Sequence, residues 1–211
     1  MKIFGAIMKY NTLASKSVIK KVMDAVKQRG ITPELVDTKE DALRRLQGLI
    51  PHGAEVMTRS STTLNQIGFT DLLKSGKHPW KNWKDIILAE KDGAKQMELR
   101  RKSVLSEYFL GSVHAIAETG ENVIASASGS QLPAYVFTSN NIIWVAGTQK
   151  IAPSLPEAIK RVREYVFPLE DARMKKEGAA GSTIGKLLIF EKEINPARKL
   201  TLILVNEKLG F

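Results

Sequence analysis

Residues 111–150, GSVHAIAETGENVIASASGSQLPAYVFTSNNIIWVAGTQK, constrain the fold most, because they set short apolar runs against turn-forming and acidic residues. The run VHAIA leads straight into Glu118, Thr119 and Gly120, and NIIWVA does the same into Gly147, Thr148 and Gln149. Apolar runs of that length bounded by turn signals have the proportions of buried strands. In open α/β sheets ligands sit in the crevice beyond the carboxyl ends of strands, so these two endings are the first places to look for a site.

The flanking sequence supplies alternating helices and strands. Residues 12–29 carry apolar side chains at helical spacing, with Gly30 as the stop. PELVD at 33–37 reads as a strand, and a helix follows from Thr38 to about Leu49 with Thr38 and Asp41 at its start. AEVMT at 54–58 reads as a strand that enters Arg59, Ser60, Ser61, Thr62 and Thr63, with a helix continuing through Leu64, Ile67 and Leu72. KHPWKNWKD at 77–85 reads as a surface loop or lid held down by Trp80 and Trp83, and 86–107 as a helical region bent at Gly93. A helix from Leu155 to Val166 is capped by Ser154 with Pro156 in its first turn, and a charged helix near 168–177 ends at Gly178. GAAGSTIGK at 178–186 reads as a flexible linker. KLLIFEKE and KLTLILVNE, joined at Asn195 and Pro196, read as a closing β-hairpin. The alternation predicts an α/β fold: a mostly parallel sheet flanked by helices, with a C-terminal β-hairpin.

Composition narrows the chemistry. A hydrophobic share of 43% with 26% charged residues is ordinary for a globular protein, and 211 residues suffice for one compact unit. Cysteine is absent, which excludes disulfides, thiolate nucleophiles and thiolate-held zinc or iron–sulfur. The net charge of +10 is one-sided: residues 1–105 hold 20 Lys/Arg against 11 Asp/Glu, residues 106–211 only 12 against 11. The basic residues lack interleaved aromatics or an RNA- or DNA-binding signature, so a solvated basic surface is expected and nucleic acid is not the expected partner. The opening MKIFGAIMKY is too short for a signal-peptide core, and no run is long enough to span a bilayer, so a cytoplasmic location without membrane insertion is expected. GAAGSTIGK lacks P-loop spacing, there is no Gly-x-Gly-x-x-Gly fingerprint or Gly-x-Ser-x-Gly elbow, and three histidines lack metal-ligand spacing. No cofactor and no metal are expected.

The segments MTRSSTTLNQIGF, HAIAETG, VAGTQKIAPSLPEAIKRVREYVFP and LILVNEKLGF, in this order, resemble the LUD-domain (lactate-utilisation) family. The resemblance implies one LUD domain over residues 1–211, with the helical segment near 10–30 packed on it. It also implies a fold similar to the glucosamine-phosphate deaminase, ribose-phosphate isomerase and CoA-transferase group, and a place beside an iron–sulfur or other electron-transfer partner in organic-acid use. Where relatives carry a cysteine cluster, this chain reads GAAGSTIGKLLIF.

The expected ligand is a small anionic metabolite. Ser60, Ser61, Thr62 and Thr63 supply hydroxyls and main-chain donors at a helix start, although one of them suffices as a cap. Ser128, Gly129, Ser130 and Gln131 form a small-residue turn that lets backbone approach a ligand. Thr119, Gly120, Gly147, Thr148 and Gln149 complete the expected bed. Glu118 is the candidate base or nucleophile, and His114, four residues earlier on the same strand face, is its candidate acid–base partner. Two other readings stand beside this one. One is a CoA-transferase or sugar-phosphate isomerase-like enzyme using Glu118; the other is a non-catalytic assembly subunit docking through Trp80, Trp83 and Leu209–Phe211.

Overall fold

The first helix, α1 (Lys16–Gln28), starts where the Ser15 hydroxyl accepts from the Val18 amide, and it turns Ile19, Val22 and Val26 onto one buried face. A computed structural model describes residues 10–211 of the chain, so the opening segment weighed as a leader lies almost wholly outside the described residues. The remaining helices are α2 (Lys39–Leu49), α3 (Thr62–Gln66), α4 (Phe69–Ser75), α5 (Trp83–Ala89), α6 (Gly93–Lys102), α7 (Leu155–Arg161) and α8 (Phe167–Lys176). A π-helical turn at Val162–Val166 joins α7 to α8.

Six parallel strands form the main sheet: β1 (Thr32–Val36), β2 (Glu55–Thr58), β3 (Lys81–Asn82), β4 (Tyr108–Gly111), β7 (Asn141–Gly147) and β10 (Lys199–Val205), in the order β1-β10-β7-β4-β2-β3. Alternation along β7 splits the core. Ile142, Trp144 and Ala146 join the side covered by α1, while Ile143 and Val145 join the side built on Leu46, Leu64 and Phe69. A strand buried on both faces reads as an unbroken apolar run, which is why NIIWVA and LTLILV are recognisable. A second, mixed sheet in the order β8-β5-β6-β9 contains β5 (Ala115–Ala117), β6 (Asn122–Ser126), β8 (Ile151–Ala152) and β9 (Lys186–Phe190). Its Ile116, Ile124 and Phe190 join the α1 side of the core, and Ala115, Ala117 and Val123 lie under Ala158 and Val162.

The mostly parallel α/β reading therefore holds, with one correction at the end of the chain. The two closing strands do not pair with each other: β9 runs antiparallel to β6, while β10 slots in parallel between β1 and β7. Asn195 does make the predicted turn, its carbonyl accepting from the Arg198 amide. A fully apolar strand such as LTLILV is buried on both faces only inside the sheet, between two other strands, and that demand overrides local pairing. VHAIA is likewise placed in the second sheet. The expected lid at 77–85 is a structural corner: β3 extends the sheet beside β2, Trp80 packs on Phe69 with centroids 5.7 Å apart, and its indole N–H donates to Ile50 O at 3.2 Å.

Trp144 is fully buried and packs edge-on against both Tyr135 and Phe190, at 5.4 and 5.3 Å. Trp144→Ala is expected to cost about 3–5 kcal/mol, read as a fall in the urea midpoint with an unchanged m-value.

Candidate functional site

A cleft of about 720 Å³ opens beyond the carboxyl ends of β2 and β4 and the end of β6. Its walls come from the turn Arg59–Thr63, from Ser112 to His114, and from the turn around Ser128, Ser130 and Gln131. Phe167 and Arg173 of α8, the segment Ala180–Ile184 and the tail residues Gly210 and Phe211 close it. The 178–186 stretch read as a linker is thus partly wall, anchored where Asp171 accepts from the Ser182 amide at 2.8 Å.

Within the hydroxyl-rich turn the four residues divide their work. The Ser61 hydroxyl caps α3 by accepting from the Leu64 amide at 3.3 Å, and Thr63 Oγ1 accepts from Lys150 Nζ at 3.0 Å. Ser60 and Thr62 keep hydroxyls without a partner among the described residues, and both line the cleft. Because α3 has five residues, its dipole adds little, and the hydroxyls and nearby cations dominate the turn's attraction for an anion. On the opposite wall Ser126 Oγ donates to Gln131 Oε1 at 2.9 Å and accepts from the Gly129 amide, which leaves the Gln131 amide nitrogen free for the cleft.

The floor contains a residue that the sequence did not single out. Lys150 is 2% exposed, and its Nζ donates to Thr63 Oγ1, Ser112 Oγ and Val113 O at 3.0, 3.0 and 3.1 Å. All three partners are neutral, and no carboxylate pairs with it among the described residues. Burial, reinforced by the Arg161 guanidinium, holds Lys150 well below the usual lysine range. Arg161 is itself fully buried, donates to the main-chain oxygens of His114, Tyr10 and Phe211, lies 5.1 Å over the Tyr165 ring, and is held down to about 10 by burial. Tyr135, beside the cleft, has its phenol raised by burial, and Gly111 is obligatory because a side chain there would collide with the Tyr135 hydroxyl.

The tail builds this floor. Gln149 Nε2 donates to Leu209 O at 2.8 Å, and the Gly210 amide donates to Gln66 Oε1 at 2.6 Å. Gly210 has φ +66° and packs so closely on Thr63 and Lys150 that any Cβ would strike the Thr63 hydroxyl. Leu209 is 3% exposed and Trp80 7%, so these two members of the sequence-derived docking surface face inward; the exposed large apolar side chains include Leu88, Leu105, Phe137 and Ile194.

The structure separates the other expected site residues. His114, Ser60 to Thr63, Ser128, Ser130 and Gln131 line the cleft, with Gly129 inside the same turn. Gly147, Thr148 and Gln149 are buried and do not line it; Gln149 holds the tail and Gly147 packs against it. Glu118 and Thr119 lie instead on a shallow groove against α1, where Lys21 Nζ donates to Glu118 Oε2 at 2.8 Å and Gly120 packs against Ala25 and Arg29. β5 is only three residues long, so Glu118 falls past its end and does not share a site with His114. Among the described residues no cluster of His, Asp and Glu has the arrangement of a metal site.

The LUD-domain family profile matches residues 19–203. The chain belongs to the LUD-domain family. The LUD fold also appears in the crystal structure of a DUF162 family protein from Deinococcus radiodurans, which aligns with a TM-score of 0.53 at 13% identity over 92% of this chain and 99% of that one. At that identity the likeness concerns the fold. No curated protein matches this LUD sequence.

Lys150 carries a pH prediction. A lysine whose value is lowered on folding binds fewer protons folded than unfolded between its lowered value and 10.5, so stability rises with pH across that window. Lys150→Met is expected to flatten the rise, measured by urea unfolding at several values between about pH 7 and pH 10.

Proposed function

We propose that this LUD chain acts as one unit, binding a small oxygen-rich anion in the cleft over Lys150 as a substrate-handling subunit of cytoplasmic lactate or related organic-acid use. The observation that carries the reading is the charge imbalance at the floor. Lys150 is buried among neutral oxygens beside Arg161, without a carboxylate partner. A buried cation without a counter-charge is costly, and a bound carboxylate or phosphate supplies the missing charge. The free Ser60 and Thr62 hydroxyls and the Gln131 amide give that anion neutral donors. Arg59, whose guanidinium is held low by burial and by Arg100, adds a further cation at the wall.

The organic-acid context comes from the family, and an electron-transfer partner is part of that proposal. No helix among the described residues is long and apolar enough to cross a membrane. A reaction routed through Glu118 has no supporting geometry in the cleft, because that carboxylate is on the α1 groove and paired with Lys21.

Thermal-shift titration tests the reading with L-lactate, pyruvate, inorganic phosphate and sugar phosphates. At a hundredfold excess over Kd a true ligand adds about 2.7 kcal/mol of stability. The shift is expected to vanish in Lys150→Met and in a Ser60→Ala/Thr62→Val double variant, and to survive in Glu118→Gln. A shift lost in Glu118→Gln yet retained in Lys150→Met would move the site to the α1 groove and sink the proposal.

A further inference from the structure

The geometry points to His114 as a fixed, neutral hydrogen-bond donor of the cleft, offering its Nε2–H to an acceptor oxygen of the bound anion. This rests on the anion-binding reading above and names how one wall residue takes part in it.

The tautomer follows from a main-chain contact. The Ala125 amide donates to His114 Nδ1 at 3.1 Å. A backbone N–H can only donate, so Nδ1 must carry its lone pair, and the ring's one proton resides on Nε2. Protonating the ring would set an Nδ1–H against the Ala125 N–H, breaking that bond and opposing two donors. The backbone on both sides is fixed: His114 N donates to Val123 O at 2.9 Å, and His114 O accepts from the Arg161 guanidinium.

The surrounding charges act in the same direction. Lys150 reaches Val113 O, one residue away, and Arg161 holds His114 O; both cations oppose an imidazolium. The carboxylate on the cleft wall, Glu170, is engaged by Arg173 at 2.7 Å. Burial first, then Lys150 and Arg161, push the ring down to about 3. His114 lines the cleft and its Nε2 has no protein partner among the described residues.

The consequence differs from the acid–base role expected beside Glu118. A neutral imidazole locked as a donor neither takes nor releases a proton at physiological pH; it selects ligands that present an accepting oxygen, such as a carboxylate, carbonyl or phosphate oxygen. Ammonium groups are rejected at that position because they have no lone pair to offer and face two cations.

Long-range ¹H–¹⁵N spectra of the histidine rings test this in the intact chain, with pyruvate and inorganic phosphate as probes. The chain has three histidines, and loss of one ring's signals in His114→Asn assigns the resonance. The expected result is an Nε2–H tautomer that does not titrate between about pH 5 and pH 8 and an Nε2 signal that moves when a probe saturates the cleft. The Asn carbonyl can still accept from the Ala125 amide but provides no donor at the Nε2 position, so His114→Asn should weaken the probe about tenfold. An Nδ1–H tautomer, an ordinary histidine titration, or an unmoved ring while a probe still raises the melting temperature would overturn the His114 assignment and leave the anion reading intact. Absence of any thermal shift with these probes and with L-lactate and sugar phosphates would remove both.

Discussion

The insertion of β10 between β1 and β7 governs the architecture. Its five residues Thr201–Val205 pair with Thr32–Val36 on one side, and its whole length Lys199–Val205 pairs with Asn141–Gly147 on the other. This late strand therefore lies inside the sheet, next to the edge strand β1, and joins that N-terminal strand to β7. Such pairing is wholly non-local, so its loop entropy is spent before its contacts form. The site depends on the same event, because β10 delivers the tail that places Leu209 against Gln149 and Gly210 against Lys150 and Thr63.

Electrostatics then gives the cleft its character. Two cations, Lys150 and Arg161, are buried within one small region, Lys150 held by hydroxyl and main-chain oxygens and Arg161 by main-chain oxygens, with no side-chain carboxylate on either among the described residues. Burial disfavours their charged forms, Arg161 raises the cost of charging Lys150, and both raise the cost of charging His114. Hydroxyl partners suit this situation because Thr63 and Ser112 can accept or donate, satisfying Lys150 whether it is an amine or an ammonium. The result is a polar floor with positive potential beneath unpaired hydroxyls, a preorganised environment for an oxyanion.

Much of this was legible in the chain. The helices came from apolar spacing and from caps such as Thr38 and Ser154, each of which accepts a first-turn amide. β7 and β10 came from their unbroken apolar runs. The turn Ser60–Thr63 and the turn Ser128–Gln131 were marked by local chemistry, and the fold brings both to one cleft. The short strands β4, β6 and β8 were not visible as separate elements, because three to five residues hold too little pattern to distinguish a strand from a loop or a helix end. Lys150 and Arg161 were not marked in the sequence because nothing in their neighbouring residues announces burial; the tail and the second sheet bury them from elsewhere in the sequence.

The sequence alone determined the alternation of helices and strands, the absence of thiol chemistry, and the small polar turns at strand ends, all of which follow from local periodicity and composition. The tertiary structure decided which turns share a cleft. Glu118 and His114 differ by four positions yet face different hollows, whereas Thr63, Ser112, Lys150 and Gly210 meet from far apart. Sheet order sets those distances, and sheet order is fixed by which apolar strands can be buried on both faces at once.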